Sequence, residues 1–151
     1  MSSYFGDSKG VPLGAGEPKR TRKRIDGGRK IKVVVVDDES VIAETVVEIL
    51  NQEGFEAIAA ANGSIAIELA KTYRADIVLS DVIMPGLNGI EIGIKIRELV
   101  PDCRIVLFSG QAATVDLLEE AREQGHSFDI LPKPIKPEQL ISVIRSGFDF
   151  V

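Results

Sequence analysis

Ile31-Lys32-Val33-Val34-Val35-Val36-Asp37-Asp38-Glu39 is the stretch on which the fold turns. Four consecutive valines are too few for a buried helix and too apolar for a half-exposed strand. They read as a short strand buried on both faces, the pattern of a parallel sheet. Three acidic residues then end the strand abruptly. The run Ser40 to Gln52 follows, with Ile42, Val46, Ile49 and Leu50 on one helical face, and Gly54 stops the helix.

The same alternation continues outward from this unit. Phe55 to Ala61 reads as a second strand, then Asn62-Gly63-Ser64 turns the chain, with Ser64 expected to cap a helix through Tyr73. Asp76 to Ser80 is a third strand, and a loop with Met84-Pro85-Gly86 leads to a helix over Gly89 to Leu99. Arg104 to Phe108 is the fourth strand and Thr114 to Gln124 its helix. Phe128 to Leu131 is the fifth strand, with a last helix from Pro137 to about Phe148. Five strand-then-helix units with short connections predict an α/β, doubly wound parallel sheet with right-handed crossovers. In such sheets ligands bind outside the carboxyl ends of the strands.

Composition narrows the chemistry. The chain has 151 residues, 44% hydrophobic and 27% charged, which fits one globular domain. A single cysteine, Cys103, excludes a disulfide framework and a Cys-rich zinc site, and a single histidine, His126, excludes a His-pair metal site. No apolar stretch approaches the ~20 residues of a membrane span, and the start MSSYFGDSKG lacks a signal-peptide core. A cytoplasmic location is the expectation. The net charge of −5 is divided unevenly. Residues 1–30 hold eight Lys/Arg against three Asp/Glu, while residues 31–151 hold ten against twenty. The first 30 residues are Gly-rich and poor in large apolar groups, so they are expected to be a disordered basic tail before a domain at 31–151. The run Lys19 to Arg24 is expected to be a solvated leader, and the acidic domain argues against non-specific DNA binding.

At the strand ends stand four complementary polar groups: Asp37-Asp38-Glu39, Asp81, Ser109-Gly110, and Lys133 between Pro132 and Pro134. Each alone has an ordinary reading as a helix cap, a turn signal or a solvated lysine. Their appearance together at four strand ends is what carries weight. Clustered carboxylates repel without a cation, and oxygen ligands favour a hard divalent ion such as Mg²⁺. One carboxylate can then attack a phosphoryl group, while an ammonium and a hydroxyl stabilise the phosphoryl oxygens.

With these residues the chain resembles a response-regulator receiver domain of two-component signalling, stand-alone and chemotaxis-regulator-like. The resemblance rests on VVVVDDE at 33–39, LSDVIMPGLNG at 79–89, LFSG at 107–110 and LPKPI at 131–135, and covers about residues 31–149. It implies a flavodoxin-like (βα)5 sheet in strand order 2-1-3-4-5. It implies that Asp81 is the phosphoacceptor and that Asp37, Asp38, Asp81 and the backbone carbonyl of Ile83 hold Mg²⁺. Ser109 would bond a phosphoryl oxygen and carry the switch. Lys133 would pair with the phosphoryl group or with Asp81, and the Lys133–Pro134 bond would be cis. Glu39 stays outside the metal site and is expected to cap the first helix.

The chain also departs from the family. Receivers usually carry Tyr or Phe three residues before the lysine, where this chain has Ile130, with Phe128 two residues earlier. Ile83, two residues after the acceptor, is apolar and is expected to shield the phosphoryl group and slow self-dephosphorylation. Gly110 is expected to keep the approach to Asp81 open.

The implied partners are a sensor histidine kinase or histidine phosphotransfer protein and a downstream protein target. The chain ends at Val151, just after the fifth helix, so the expectation is a single-domain regulator with no DNA-binding domain. The face of helix four, strand five and helix five carries Glu119, Glu120, Arg122, Lys136 and Arg145, and the resemblance allows a homodimer through it. The chain is not expected to be an enzyme beyond its own phosphorylation and dephosphorylation. A constitutive interaction module is the main alternative. A Mg²⁺-dependent aspartate-nucleophile phosphatase fits less well: its Asp-x-Asp motif is replaced by Asp37-Asp38-Glu39, and its later acidic pair by Ile135-Lys136-Pro137-Glu138.

Overall fold

The valine run is the second strand of a computed structural model that describes residues 23–25, 27–110 and 113–150. In chain order the elements are β1 Lys23–Ile25, β2 Lys32–Val36, α1 Ser40–Gln52, β3 Glu56–Ala60, α2 Gly63–Thr72, β4 Ile77–Asp81 and α3 Gly89–Leu99. They continue as β5 Arg104–Ser109, α4 Ala113–Glu123, β6 Asp129–Pro132, α5 Pro137–Arg145 and β7 Phe148–Phe150. Five strands form one parallel sheet in the order β3-β2-β4-β5-β6. Counting only these five, that is the expected 2-1-3-4-5.

Successive side chains of a strand point to opposite faces, so β2 feeds two cores at once. Val33 and Val35 pack with Leu79, Phe108, α1 residues Val46 and Leu50, and α5 residues Leu140 and Ile144. Val34 and Val36 pack with Val78, Leu107, α2 residues Ala66 and Ala70, and α3 residues Ile92 and Ile96. All four valines have no exposed surface, which accounts for the lack of polar alternation in the run. Each full burial contributes on the order of 2 kcal/mol before chain entropy is counted.

The helix starts correct two expectations. Asn62, not Ser64, caps α2: its side chain accepts from the Ile65 N–H at 3.0 Å. Glu39 is the N-cap residue of α1, but its side chain makes no capping bond. Asn88 and Glu91 close α3 with reciprocal side chain to backbone bonds of 2.8 Å each. Asn88 thereby sets the direction in which α3 leaves the loop after β4.

The last helix ends at Arg145 rather than near Phe148, and the chain becomes β7. Arg104 supplies the reason. Its guanidinium donates to the carbonyls of Val143 at 2.7 Å and Ile144 at 3.1 Å, satisfying acceptors that a helix C-terminus leaves open. It also pairs with Asp129 at 3.0 Å. A Cβ at Gly147 would lie 2.4 Å from Arg104 Nη1, so the glycine leaves room for this side chain where it is held. Phe148 is then buried among residues of the α1/α5 core.

β7 pairs in parallel with β1, Lys23 opposite Phe148 and Ile25 opposite Phe150. The expected tail at 1–30 is therefore partly built into the fold. Arg29 also anchors it, with two bonds of 2.8 and 2.9 Å to the buried Asp76 carboxylate. The strand forms because β7 offers it an edge, which no pattern within residues 1–30 announces. The expectation for residues 1–22, including most of the basic run Lys19 to Arg24, lies outside the described residues.

Candidate functional site

The carboxyl ends of β2 and β4 bring three carboxylates together. Asp37, Asp38 and Asp81 each present an oxygen, and these oxygens lie within 4.8 Å of one another. Asp37 is buried, Asp81 half-buried and Asp38 exposed. Asp37 Oδ1 accepts the Glu39 N–H at 2.9 Å, whereas Asp37 Oδ2 is buried with no hydrogen-bond partner. Burial raises the Asp37 pKa above the usual carboxylate value. The Glu39 N–H and the Lys133 charge oppose that rise, and the negative charges of Asp81 and Asp38 add to it.

An orphaned buried carboxylate oxygen costs free energy unless something binds it. Beside two further carboxylates it completes an all-oxygen donor set for a hard divalent cation, and Mg²⁺ fits that set. Ile83 follows in the loop after β4 with its side chain 40% exposed.

Lys133, just past β6, reaches back across β5. Its Nζ donates to Asp81 Oδ2 at 3.0 Å. Its own N–H donates to the Ser109 carbonyl at 3.1 Å, and the Lys133–Pro134 bond is cis. Gly110 has a task in placing this lysine. A Cβ there would lie 2.8 Å from Lys133 Cβ, so the glycine makes room for the lysine stem.

Ser109 Oγ is hydrogen-bonded to Thr114 Oγ1 in the first turn of α4. Thr114 was not singled out from the sequence. Its signal was weak: a threonine at a helix start reads as a cap, but this one is 1% exposed and faces the end of β5. Gly89, quoted only inside a longer motif, is likewise part of the site's frame. A Cβ at Gly89 would lie 2.3 Å from the Asp81 carbonyl oxygen, so α3 starts directly against the end of β4.

The position three residues before Lys133 is filled by an aliphatic side chain, and Phe128 lies elsewhere. Ile130 lies on β6 opposite Leu107 and is 39% exposed. Phe128 packs against the core on the α2 to α4 side, with the Arg97 guanidinium 4.1 Å from its ring centre. Gly93 permits this, since a Cβ there would lie 2.7 Å from the Phe128 ring.

Comparison with known proteins decides the family. The model of the response regulator receiver domain matches residues 33–145. The chain belongs to the response-regulator receiver family. The receiver is 33% identical over 124 residues to the probable transcriptional regulatory protein TcrX of Mycobacterium tuberculosis, covering 82% of this chain and 52% of TcrX. It is 32% identical over 115 residues to the DNA-binding response regulator MtrA of Mycolicibacterium smegmatis, covering 76% of this chain and 49% of MtrA. Among solved structures, the chemotaxis protein CheY4 of Vibrio cholerae superposes with a TM-score of 0.71 at 26% identity, over 80% of this chain and all of that one (100%). A response regulator receiver domain from Clostridium thermocellum gives 0.69 at 26% identity, over 77% and 92%.

Receiver domains are signalling modules of two-component systems rather than turnover enzymes, and they typically bind Mg²⁺ at an acidic pocket such as the one formed here. Among the described residues no helix is long and apolar enough to cross a membrane.

The partner set expected from the sequence needs correction. It combined a sensor histidine kinase or phosphotransfer protein, a downstream protein target and a homodimer through the α4 to α5 face with the absence of a DNA-binding domain. The receiver spans about half the length of TcrX and MtrA, and a quarter (24%) of the DNA-binding transcriptional regulator NtrC of Azospirillum brasilense. Two of these relatives are DNA-binding by name. A domain has its own hydrophobic core whatever the rest of a longer protein contacts. The position of α5 near Val151 therefore does not exclude a DNA-binding domain in the whole protein.

Proposed function

We propose that this receiver accepts a phosphoryl group on Asp81 from a phosphohistidine donor, in the cytoplasm, and that residues 31–151 are the signalling unit. The observation that carries the reading is the 3.0 Å contact of Lys133 with Asp81, made beside the carboxylates of Asp37 and Asp38.

In this reading an Asp81 carboxylate oxygen attacks phosphorus. A new O–P bond forms as the bond to the donor nitrogen breaks, and the donor imidazole keeps the electron pair. Asp37, Asp38, Asp81 and the Ile83 carbonyl would hold Mg²⁺, which supplies positive charge to the phosphoryl oxygens when bound. Lys133 moves its charge from the Asp81 carboxylate to a phosphoryl oxygen, and Ser109 donates its hydroxyl to another. The exposed apolar Ile83 side chain limits the approach of water, so the acyl phosphate is long-lived. The output is a population shift: the phosphoryl group stabilises one of two conformations more than the other.

Intact-protein mass after incubation with acetyl phosphate tests this. The expected result is one phosphoryl adduct that requires Mg²⁺ and is absent from Asp81→Ala. If wild type takes no adduct and also fails to bind beryllofluoride, the reading falls and a constitutive interaction module takes its place.

A further inference from the structure

Ser109 has little freedom except at its side chain. Its carbonyl is held by the Lys133 N–H at 3.1 Å, and it lies in register with Pro132 of β6. What remains is rotation about one side-chain torsion with three staggered wells. In the well it occupies, its hydroxyl is bonded to that of Thr114. Thr114 is buried, and α4 carries it into this position from the far side of the loop after β5. The aromatic position of β6 holds Ile130, which has no polar tip to answer a movement of Ser109. Phe128 is engaged beneath Arg97 and packed against Gly93. The Ser109–Thr114 bond is thus a direct polar link between the candidate phosphoryl-binding hydroxyl and a helix.

We propose that Thr114 is a positioning residue for phosphoryl recognition: its hydroxyl holds Ser109 turned towards α4, and a phosphoryl group on Asp81 competes for the same Ser109 hydroxyl. The proposal rests on the reading of Asp81 as the acceptor. In this proposal Ser109 is the donor to Thr114 and has a single proton to give, so giving it to a phosphoryl oxygen costs the Ser109–Thr114 bond and couples occupancy of Asp81 to the first turn of α4. By reciprocity, whatever draws Thr114 away strengthens phosphoryl binding.

Titration of the full chain with beryllofluoride and Mg²⁺, followed by backbone amide NMR, tests the coupling. Thr114→Val keeps the shape and removes the hydroxyl. It is expected to bind beryllofluoride about 3- to 10-fold more tightly, the net worth of one neutral hydrogen bond. Thr114→Ser restores the hydroxyl and should return the affinity to that of wild type. In a Ser109→Ala background the effect of Thr114→Val should vanish. Thr114→Ala, with the same expected sign, replaces Thr114→Val if the latter melts early. Unchanged or weaker binding by the hydroxyl-free variant overturns the proposal, as does an equal gain in the Ser109→Ala background. A wild type that binds no beryllofluoride overturns the acceptor reading and this one together. Binding by wild type with an indifferent Thr114 variant overturns this one alone.

Discussion

Lys133 reaches Asp81 through space that Gly110 leaves empty. The Cβ that Gly110 lacks would stand 2.8 Å from Lys133 Cβ, and Lys133 Nζ sits 3.0 Å from Asp81 Oδ2. The clash would fall at the root of the lysine, where the side chain cannot bend away. Gly110→Ala is therefore expected to fold but to misplace the ammonium. Phosphorylation by acetyl phosphate should slow on the order of 10- to 100-fold, the usual loss for a misplaced charged group. A wild-type rate in the alanine variant would show that the lysine stem relocates at no cost.

Asp37 should make the metal-free protein less stable than it need be. Its Oδ2 is buried without a partner, and burial holds its pKa above the ordinary value of 3.8. A carboxyl whose pKa rises on folding contributes stability that is present in acid and is lost as pH climbs through the folded pKa. Asp37→Asn keeps an acceptor for the Glu39 N–H and removes the charge. In chelator at neutral pH it is expected to melt about 2–8 °C above wild type, with the gap closing as pH falls towards 3.8. Mg²⁺ should raise the wild-type melt and move the variant's far less, because ligand binding stabilises only the form that binds. Equal melts in chelator would mean that Asp37 carries no uncompensated charge.

Ile83 governs water, on the reading above. Its exposed side chain follows Asp81 by two residues. Ile83→Asn gives an incoming water a hydrogen-bonding neighbour in place of an apolar one. The phosphoryl adduct is expected to decay several-fold faster by intact mass, with its formation little changed. Decay no faster than wild type would remove Ile83 from the account.

Gly89 is a test of the frame rather than of the chemistry. An added Cβ would meet the Asp81 carbonyl oxygen at 2.3 Å and the Val82 Cα at 3.1 Å, both backbone. Gly89 N–H also donates to the Val82 carbonyl at 2.9 Å, so the helix start has nowhere to retreat. Gly89→Ala is expected to cost about 1–3 kcal/mol in urea unfolding. A smaller loss would mean that α3 slides along β4 with ease.

Much of this protein is local in origin and was readable as such. The valine run, the apolar face of α1, the range of α3 and the glycine after α1 depend on neighbours within a few residues. Periodicity places them within one or two residues of the observed bounds. The polar residues at the strand ends were legible for a related reason: a parallel sheet delivers all its carboxyl ends to one edge, so position along each strand implies meeting in space. What remained hidden depends on partners far along the chain. Asp81 and Lys133 are 52 residues apart, and Arg29 and Asp76 are 47. Strand β1 exists because β7 is beside it, and α5 stops where it does because Arg104 takes its last carbonyls. Gly110 and Thr114 look like a turn and a cap until packing sets one against the Lys133 stem and the other against Ser109. Backbone preference acts over one turn or one strand. The distances that make a carboxylate, an ammonium and a hydroxyl into one site arise only when the whole sheet has closed.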